Sequence, residues 1–259
     1  MPTLDRDGVG IYYETYGEGP ALLLTHGYSA TSRMWQPQIE ALARTHTLIL
    51  WDMRGHGRSA SPEDAAAYSE RLTTGDMAAL LDHLGFRTAI VGGLSLGGYM
   101  SLAFYADYPQ RVEALLIIDT GPGFKKDAAR EAWNRTAEAR AADIEARGAH
   151  ALEGRSPEQA TAEHANLRGL VYAARHLLTQ RTPRVIESLP GISVPTLVVA
   201  GAQDEPFLAA TDYMAAKIPG ARKVIIPDAG HAVNLDQPER FNAAVVAFLG
   251  TLADQAGHP

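Results

Sequence analysis

The run Gly93-Leu94-Ser95-Leu96-Gly97-Gly98 places a hydroxyl between two glycines, directly after the apolar stretch Thr88–Gly92 and before a helix-like stretch starting near Tyr99. That spacing suits a nucleophile elbow, a sharp strand-to-helix turn that presents a serine at its apex. The backbone of such a serine is strained, and the positions two before and two after it have little room for a side chain. Gly93 and Gly97 meet that demand. The turn also sets the hydroxyl at the positive end of the following helix, where developing negative charge is stabilised. Ser95 is therefore a candidate nucleophile. Three small residues in five positions also fit a plain tight turn, so the chemistry depends on what else reaches the same place.

A serine hydroxyl needs a base to take its proton, and an imidazole titrating near neutrality is the usual choice. Of nine histidines, His231 lies in Asp228–Val233, between the last predicted strand and the last predicted helix. A loop at a strand's carboxyl end faces the same sheet edge as Ser95; the alternative is an ordinary surface-loop histidine. His46, His83, His150, His164 and His258 have no comparable placement, and His26 reads as a structural, hydrogen-bonding residue. The base in turn needs a carboxylate to fix its tautomer. Asp119 and Asp204 both end predicted strands on that edge. Asp204, just before Pro206, also suits a helix N-cap.

A tetrahedral oxyanion needs two backbone donors. The elbow offers the Leu96 N–H, and the loop after Ala21–Thr25 offers the Tyr28 N–H, with Gly27 allowing close approach. Trp35, Phe124, Trp133 and Tyr172, with Leu94 and Leu170, are candidates for an apolar substrate pocket, and each equally suits packing. There is no cysteine, no HExxH and no ligand-like His/Asp spacing, so no metal or other cofactor is expected.

These groups need a scaffold. Short apolar runs at Ala21–Thr25, Thr47–Trp51, Ala89–Val91, Val112–Ile118, Thr196–Ala200 and Lys223–Ile226 alternate with helical patterns at Met34–Arg44, Thr73–Leu84, Leu96–Tyr108 and Pro238–Leu252. Such alternation predicts an α/β fold with a mostly parallel sheet flanked by helices. Residues 121–188 lack a convincing strand and are rich in Ala, Arg and Glu, which predicts a helical lid inserted into a core of residues 1–120 and 189–259. The 259 residues, with 46% hydrophobic and 20% charged content, fit a soluble globular chain, and no apolar run approaches the ~18 residues of a membrane span. The polar start Met1–Asp7 lacks a secretory signal, so a cytoplasmic chain is expected. A net charge of −7 without a basic cluster argues against a nucleic-acid partner. Oligomeric state is open, a homodimer included.

Taken together, His26-Gly27, the run Asp52–Ser59, the elbow at Ser95, Gly201–Asp204 and Gly230-His231 resemble the α/β-hydrolase superfamily over nearly the whole chain. The resemblance implies acyl-enzyme catalysis with Ser95 as nucleophile, His231 as proton shuttle and Tyr28 and Leu96 as oxyanion donors. The chain order Ser, Asp, His favours Asp204 over Asp119 as the orienting acid. Members that open epoxides or displace halide carry aspartate at the elbow, so those activities are disfavoured here. The serine branch includes carboxylesterases and 3-oxoadipate enol-lactonases, and the expected activity is hydrolysis of small to medium carboxylic esters, with lactone hydrolysis as the nearest alternative. Carbon–carbon bond hydrolases, perhydrolases and ligand-sensing pseudo-enzymes share the same scaffold.

Overall fold

The computed structural model describes residues 2–154 and 156–256. Met1, Arg155 and 257–259, which belong to the expected core and lid spans and include His258, lie outside the described residues. The chain opens with β1 (Thr3–Arg6), β2 (Val9–Tyr16) and β3 (Ala21–Thr25), then a 3-10 turn at Ser32–Gln38, α1 (Ile39–Leu42) and β4 (Thr47–Trp51). Next come α2 (Glu70–His83), β5 (Ala89–Leu94), α3 (Leu96–Asp107) and β6 (Val112–Ile118). A purely helical stretch of described residues follows, with α4 (Asp127–Arg147), α5 (Pro157–Ala160), α6 (Leu167–Ala173) and α7 (Arg184–Ser188). The chain closes with β7 (Thr196–Gly201), α8 (Glu205–Lys217), β8 (Arg222–Ile226), α9 (Val233–Asp236) and α10 (Pro238–Ala256).

The eight strands form one sheet in the order β1-β2-β4-β3-β5-β6-β7-β8. β2 runs antiparallel to β1 and β4, and the pairs from β4 through β8 are parallel. Central strands buried on both sides read as continuous apolar runs, because each alternate residue meets a different layer. Leu23, Ile49, Val91, Leu115 and Val198 face one core with α2, α3, Met214 of α8 and Ile218 just after that helix. Leu22, Leu48, Ile90, Leu116 and Leu197 face the other, covered by Trp35, Phe241, Val245 and Phe248.

Three departures from the sequence expectation have local causes. The hairpin β1–β2 was not anticipated, although Asp7-Gly8 is a two-residue link with both φ values positive (55° and 83°), a strong hairpin signal. The helix expected over Met34–Arg44 is a 3-10 turn followed by four α-helical residues, because Pro37 sits inside it and removes a backbone donor. The stretch after Asp204, read only as a cap, is the 13-residue helix α8. Among the described residues no helix is long and apolar enough to cross a membrane.

The turn Asp52–Ser59 is held by a buried ion pair. Arg54 Nε and Nη2 bind Asp76 at 2.5 and 2.8 Å, and both side chains are almost wholly out of solvent. Removing one member strands the other charge in the interior. Asp76→Ala is expected to lower unfolding free energy by about 3–5 kcal/mol in a denaturant titration.

Candidate active site

At the end of β5 the chain reverses into α3 through Ser95, whose φ of 56° and ψ of −118° are strained for a residue with a side chain. The surroundings over-determine that conformation. Ser95 N–H donates to Ile118 O at 2.9 Å, and Thr120 Oγ1 donates to Ser95 O at 2.7 Å. The flanking glycines are required by close approach. A Cβ on Gly97 would lie 2.1 Å from Thr25 O, and one on Gly93 would lie 2.5 Å from the same oxygen.

His231 and Asp204 come from the loops after β8 and β7 and meet at the same edge. His231 Nδ1 lies 2.8 Å from Asp204 Oδ2. An ionised carboxylate can only accept, so Nδ1 carries the proton and Nε2 is left as the basic nitrogen. Asp204 occupies the position before α8 yet makes no side-chain cap hydrogen bond; its carboxylate serves His231 instead. Phe207, one turn into α8, stacks on the His231 ring with centroids 5.1 Å apart.

Asp119 lies behind this pair. It is buried, and its Oδ1 accepts the Gly201 N–H at 2.9 Å. Burial pushes its carboxyl up to about 9, with the Gly201 amide opposing and the Asp204 charge adding to the rise. Burial thus favours the protonated form of Asp119, and the carboxylate in contact with the imidazole is that of Asp204.

The loop after β3 is held by histidines. His26 Nδ1 donates to Gly27 O at 2.7 Å and its Nε2 accepts the Met53 N–H at 3.0 Å. The Gly27 carbonyl also takes the Ala30 N–H at 3.1 Å. Because a trans peptide is planar, fixing the Gly27 carbonyl fixes the Tyr28 N–H in the opposite direction. Leu96 is the first residue of α3, where an N–H has no intrahelical acceptor.

The helical insertion grips the same loop. His164 Nδ1 accepts the Gly57 N–H at 3.0 Å and its Nε2 donates to Ser29 O at 3.1 Å; Gln159 Nε2 donates to Tyr28 O at 3.2 Å. Ser29 has a φ of 55°, so the grip falls on a strained residue. Nothing in the local sequence marks Gln159, and His164 has no site-like placement along the chain; only the tertiary fold brings them to the Tyr28–Ser29 loop.

A largely apolar cavity of about 120 Å³, open to solvent, begins at Ser95 and Leu96. The insertion contributes Phe124, Trp133, Leu178 and Gln180 to its wall, and α8 contributes Pro206 and Phe207. Phe124 and Trp133 pack together with ring centroids 6.2 Å apart. Four expected pocket residues lie elsewhere. Trp35 is fully buried against Phe241 beneath the opposite sheet face, where the 3-10 turn directs it. Tyr172 stacks on Tyr68 at 5.4 Å and belongs to the packing between insertion and core. Leu94 and Leu170 are likewise core residues.

The sheet order, the strained elbow and the edge loops that converge on it define an α/β hydrolase. A family model described as the alpha/beta hydrolase family matches residues 22–244, and the chain belongs to that family. It is 30% identical over 250 residues to the 2-(acetamidomethylene)succinate hydrolase of Mesorhizobium japonicum, covering 90% of this chain and 89% of that one. A thermophilic esterase from Thermogutta terrifontis superposes with a TM-score of 0.80 at 29% identity, covering 96% of this chain and 97% of that one. The enol-lactonase from Burkholderia xenovorans LB400 gives 0.77 at 28% identity, covering 96% and 100%. The protein is thus a hydrolase.

Each nitrogen of His26 and of His164 is committed, one as donor and one as acceptor, so a second proton would oppose an N–H already facing the ring. Burial lowers both groups, His26 to about 4. Below the ordinary histidine value of 6.5 the unfolded chain binds a proton that the folded chain refuses, so the contribution of these histidines is full above 6.5 and is lost as pH falls towards 4, while Asp119, raised to about 9, runs the other way over the same range. For His26 alone the loss is about 3 kcal/mol. The His26 contribution is therefore read by difference: from pH 7 to pH 4.5 the urea midpoint of the wild type should drop relative to that of His26→Asn, which starts lower at pH 7.

Proposed function

We propose that this chain hydrolyses carboxylic esters of small to medium size through an acyl-enzyme on Ser95. The Ser95 hydroxyl attacks the ester carbonyl carbon while His231 Nε2 takes its proton. The Tyr28 and Leu96 amides receive the negative oxygen of the tetrahedral species. The imidazolium, stabilised by Asp204, then protonates the leaving alkoxide, and the alcohol departs. Water repeats the sequence with His231 as base, releasing the carboxylic acid and restoring Ser95. The observation that carries this reading is the 2.8 Å bond from His231 Nδ1 to Asp204 Oδ2, on the sheet edge where Ser95 is held in its strained turn.

The helical insertion acts as a lid in this reading, because its aromatic side chains Phe124 and Trp133 roof the apolar cavity beside the serine. The enol-lactonase from Burkholderia xenovorans supports a second reading, lactone hydrolysis. A lactone is an internal ester, and the same steps would leave acid and alcohol in one product.

Pre-steady-state hydrolysis of p-nitrophenyl acetate and butyrate tests the nucleophile. Wild-type turnover, with a burst of p-nitrophenol where acyl-enzyme accumulates, is expected to vanish in a folded Ser95→Ala protein; equal activity in both would remove Ser95 from the role. Steady-state rates separate the two acids. Asp204→Asn leaves His231 in the wrong tautomer and should lose about 10³–10⁴-fold in kcat. Asp119→Asn replaces a carboxyl whose protonated form burial favours with an amide of the same shape and should leave kcat nearly unchanged; the reverse pattern would reassign the orienting acid.

A further inference from the structure

The wall of the cavity is apolar except at one point. Among its described lining residues there is no Asp, Glu, Lys, Arg or His. Besides the candidate nucleophile Ser95, two hydroxyls border it, and both have partners: Tyr99 donates to Glu70 Oε2 at 2.8 Å, and Thr120 donates to Ser95 O at 2.7 Å.

Gln180 differs. Its backbone is clamped on both sides by one side chain, with Asn134 Nδ2 donating to Gln180 O at 2.9 Å and Gln180 N–H donating to Asn134 Oδ1 at 2.7 Å. The residue is 8% exposed, and its Oε1 is buried with no hydrogen-bond partner. Gly123, at a φ of 91°, leaves the space that this amide occupies. A Cβ there would lie 2.8 Å from Oε1 and 3.4 Å from the Tyr99 ring. A backbone-locked primary amide is thus held in an apolar wall with an acceptor unfilled. Native interiors seldom leave such an atom without a donor, and rotation of the amide about its broad terminal torsion would turn the oxygen from its closed position into the cavity that Gln180 lines, where a ligand donor recovers the loss.

We propose that Gln180 selects the substrate, and that the substrate's acyl group is uncharged, largely apolar and carries a hydroxyl or N–H that bonds the Gln180 amide. The inference rests on the ester-hydrolase reading. The acyl group stays on Ser95 through both halves of that reaction, so the wall bordering Ser95 is the one it occupies. A carboxylate in the same place would be stripped of water with no cation to meet it. The Mesorhizobium japonicum relative is named for a succinate, a dicarboxylate. The wall described here is built for a neutral chain.

The test is a pH-stat assay of matched ethyl esters: butanoate and hexanoate, 3-hydroxybutanoate and 6-hydroxyhexanoate, and the monoethyl esters of succinate and adipate. Wild-type kcat/KM should favour at least one hydroxy ester over its plain counterpart and exceed the value for either charged monoester by at least about tenfold. Gln180→Leu should cost the preferred hydroxy ester about tenfold while changing the plain esters by less than about threefold. Gln180→Glu keeps the shape and an acceptor, so it should retain the hydroxy ester and depress the charged monoesters further. It also serves if Gln180→Leu melts early. Equal losses on hydroxy and plain esters, or wild-type preference for the charged monoesters, would overturn the assignment of Gln180 while Ser95-dependent turnover stood. Turnover of no ester by the wild type, or turnover surviving in Ser95→Ala, would instead overturn the ester reading, and the Gln180 assignment with it.

Discussion

The contact on which the site depends is backbone against backbone. The Thr25 carbonyl, at the end of β3, occupies the place where a side chain on Gly93 or Gly97 would begin. Nothing larger than hydrogen fits, so the elbow between β5 and α3 is pressed onto the strand beside it. The serine hydroxyl and the loop carrying Tyr28 are brought to a fixed separation by that single close approach. The strain at Ser95 follows from it, because the turn must reverse within the space the neighbouring strand leaves. Two hydrogen bonds, from Ser95 N–H to Ile118 O and from Thr120 to Ser95 O, then hold the reversed backbone in place.

Charge is distributed around this contact with the same economy. Asp119 and Asp204 lie side by side, yet burial favours the protonated form of the former, so the edge is relieved of a second negative charge that would repel the first. His26, His56 and His164 are all lowered by burial and stay neutral. His26 and His164 act as rigid donor–acceptor units whose tautomers are set by the carbonyls and amides they meet, and His56 donates from Nδ1 to Arg54 O at 3.1 Å. Apolar walls complete the surroundings, so an oxyanion formed there would meet fixed dipoles and little competing charge.

What could be read from the sequence was what is local. The elbow, the loops ending at Asp204 and His231, and the central strands each announce themselves within a few residues, because strand burial and turn sterics leave short-range marks. β1 and β2 were missed although Asp7-Gly8 marks their turn, since their alternation is weak next to the fully buried strands. Trp35 and Tyr172 show the opposite limit. An aromatic near a site in sequence carries no sign of which side of the sheet it will face, and a proline-bearing 3-10 turn sends Trp35 to the far one. His164, Gln159 and Gln180 have no local signature at all. Their roles come from contacts across 135, 131 and 46 residues of chain, respectively.

Those long-range contacts bear on how such a protein changes over evolutionary time. An insertion between β6 and β7 looks like an exchangeable module, free to be swapped while the sheet keeps its chemistry. Here the module also reaches back through Gln159 and His164 to the carbonyls of Tyr28 and Ser29. A foreign insertion would bring a new cavity wall and lose that grip in the same event. Recombination of whole segments is therefore penalised, and drift by single substitutions along the wall, at Phe124, Trp133 or Leu178, is the path that leaves the rest of the site undisturbed.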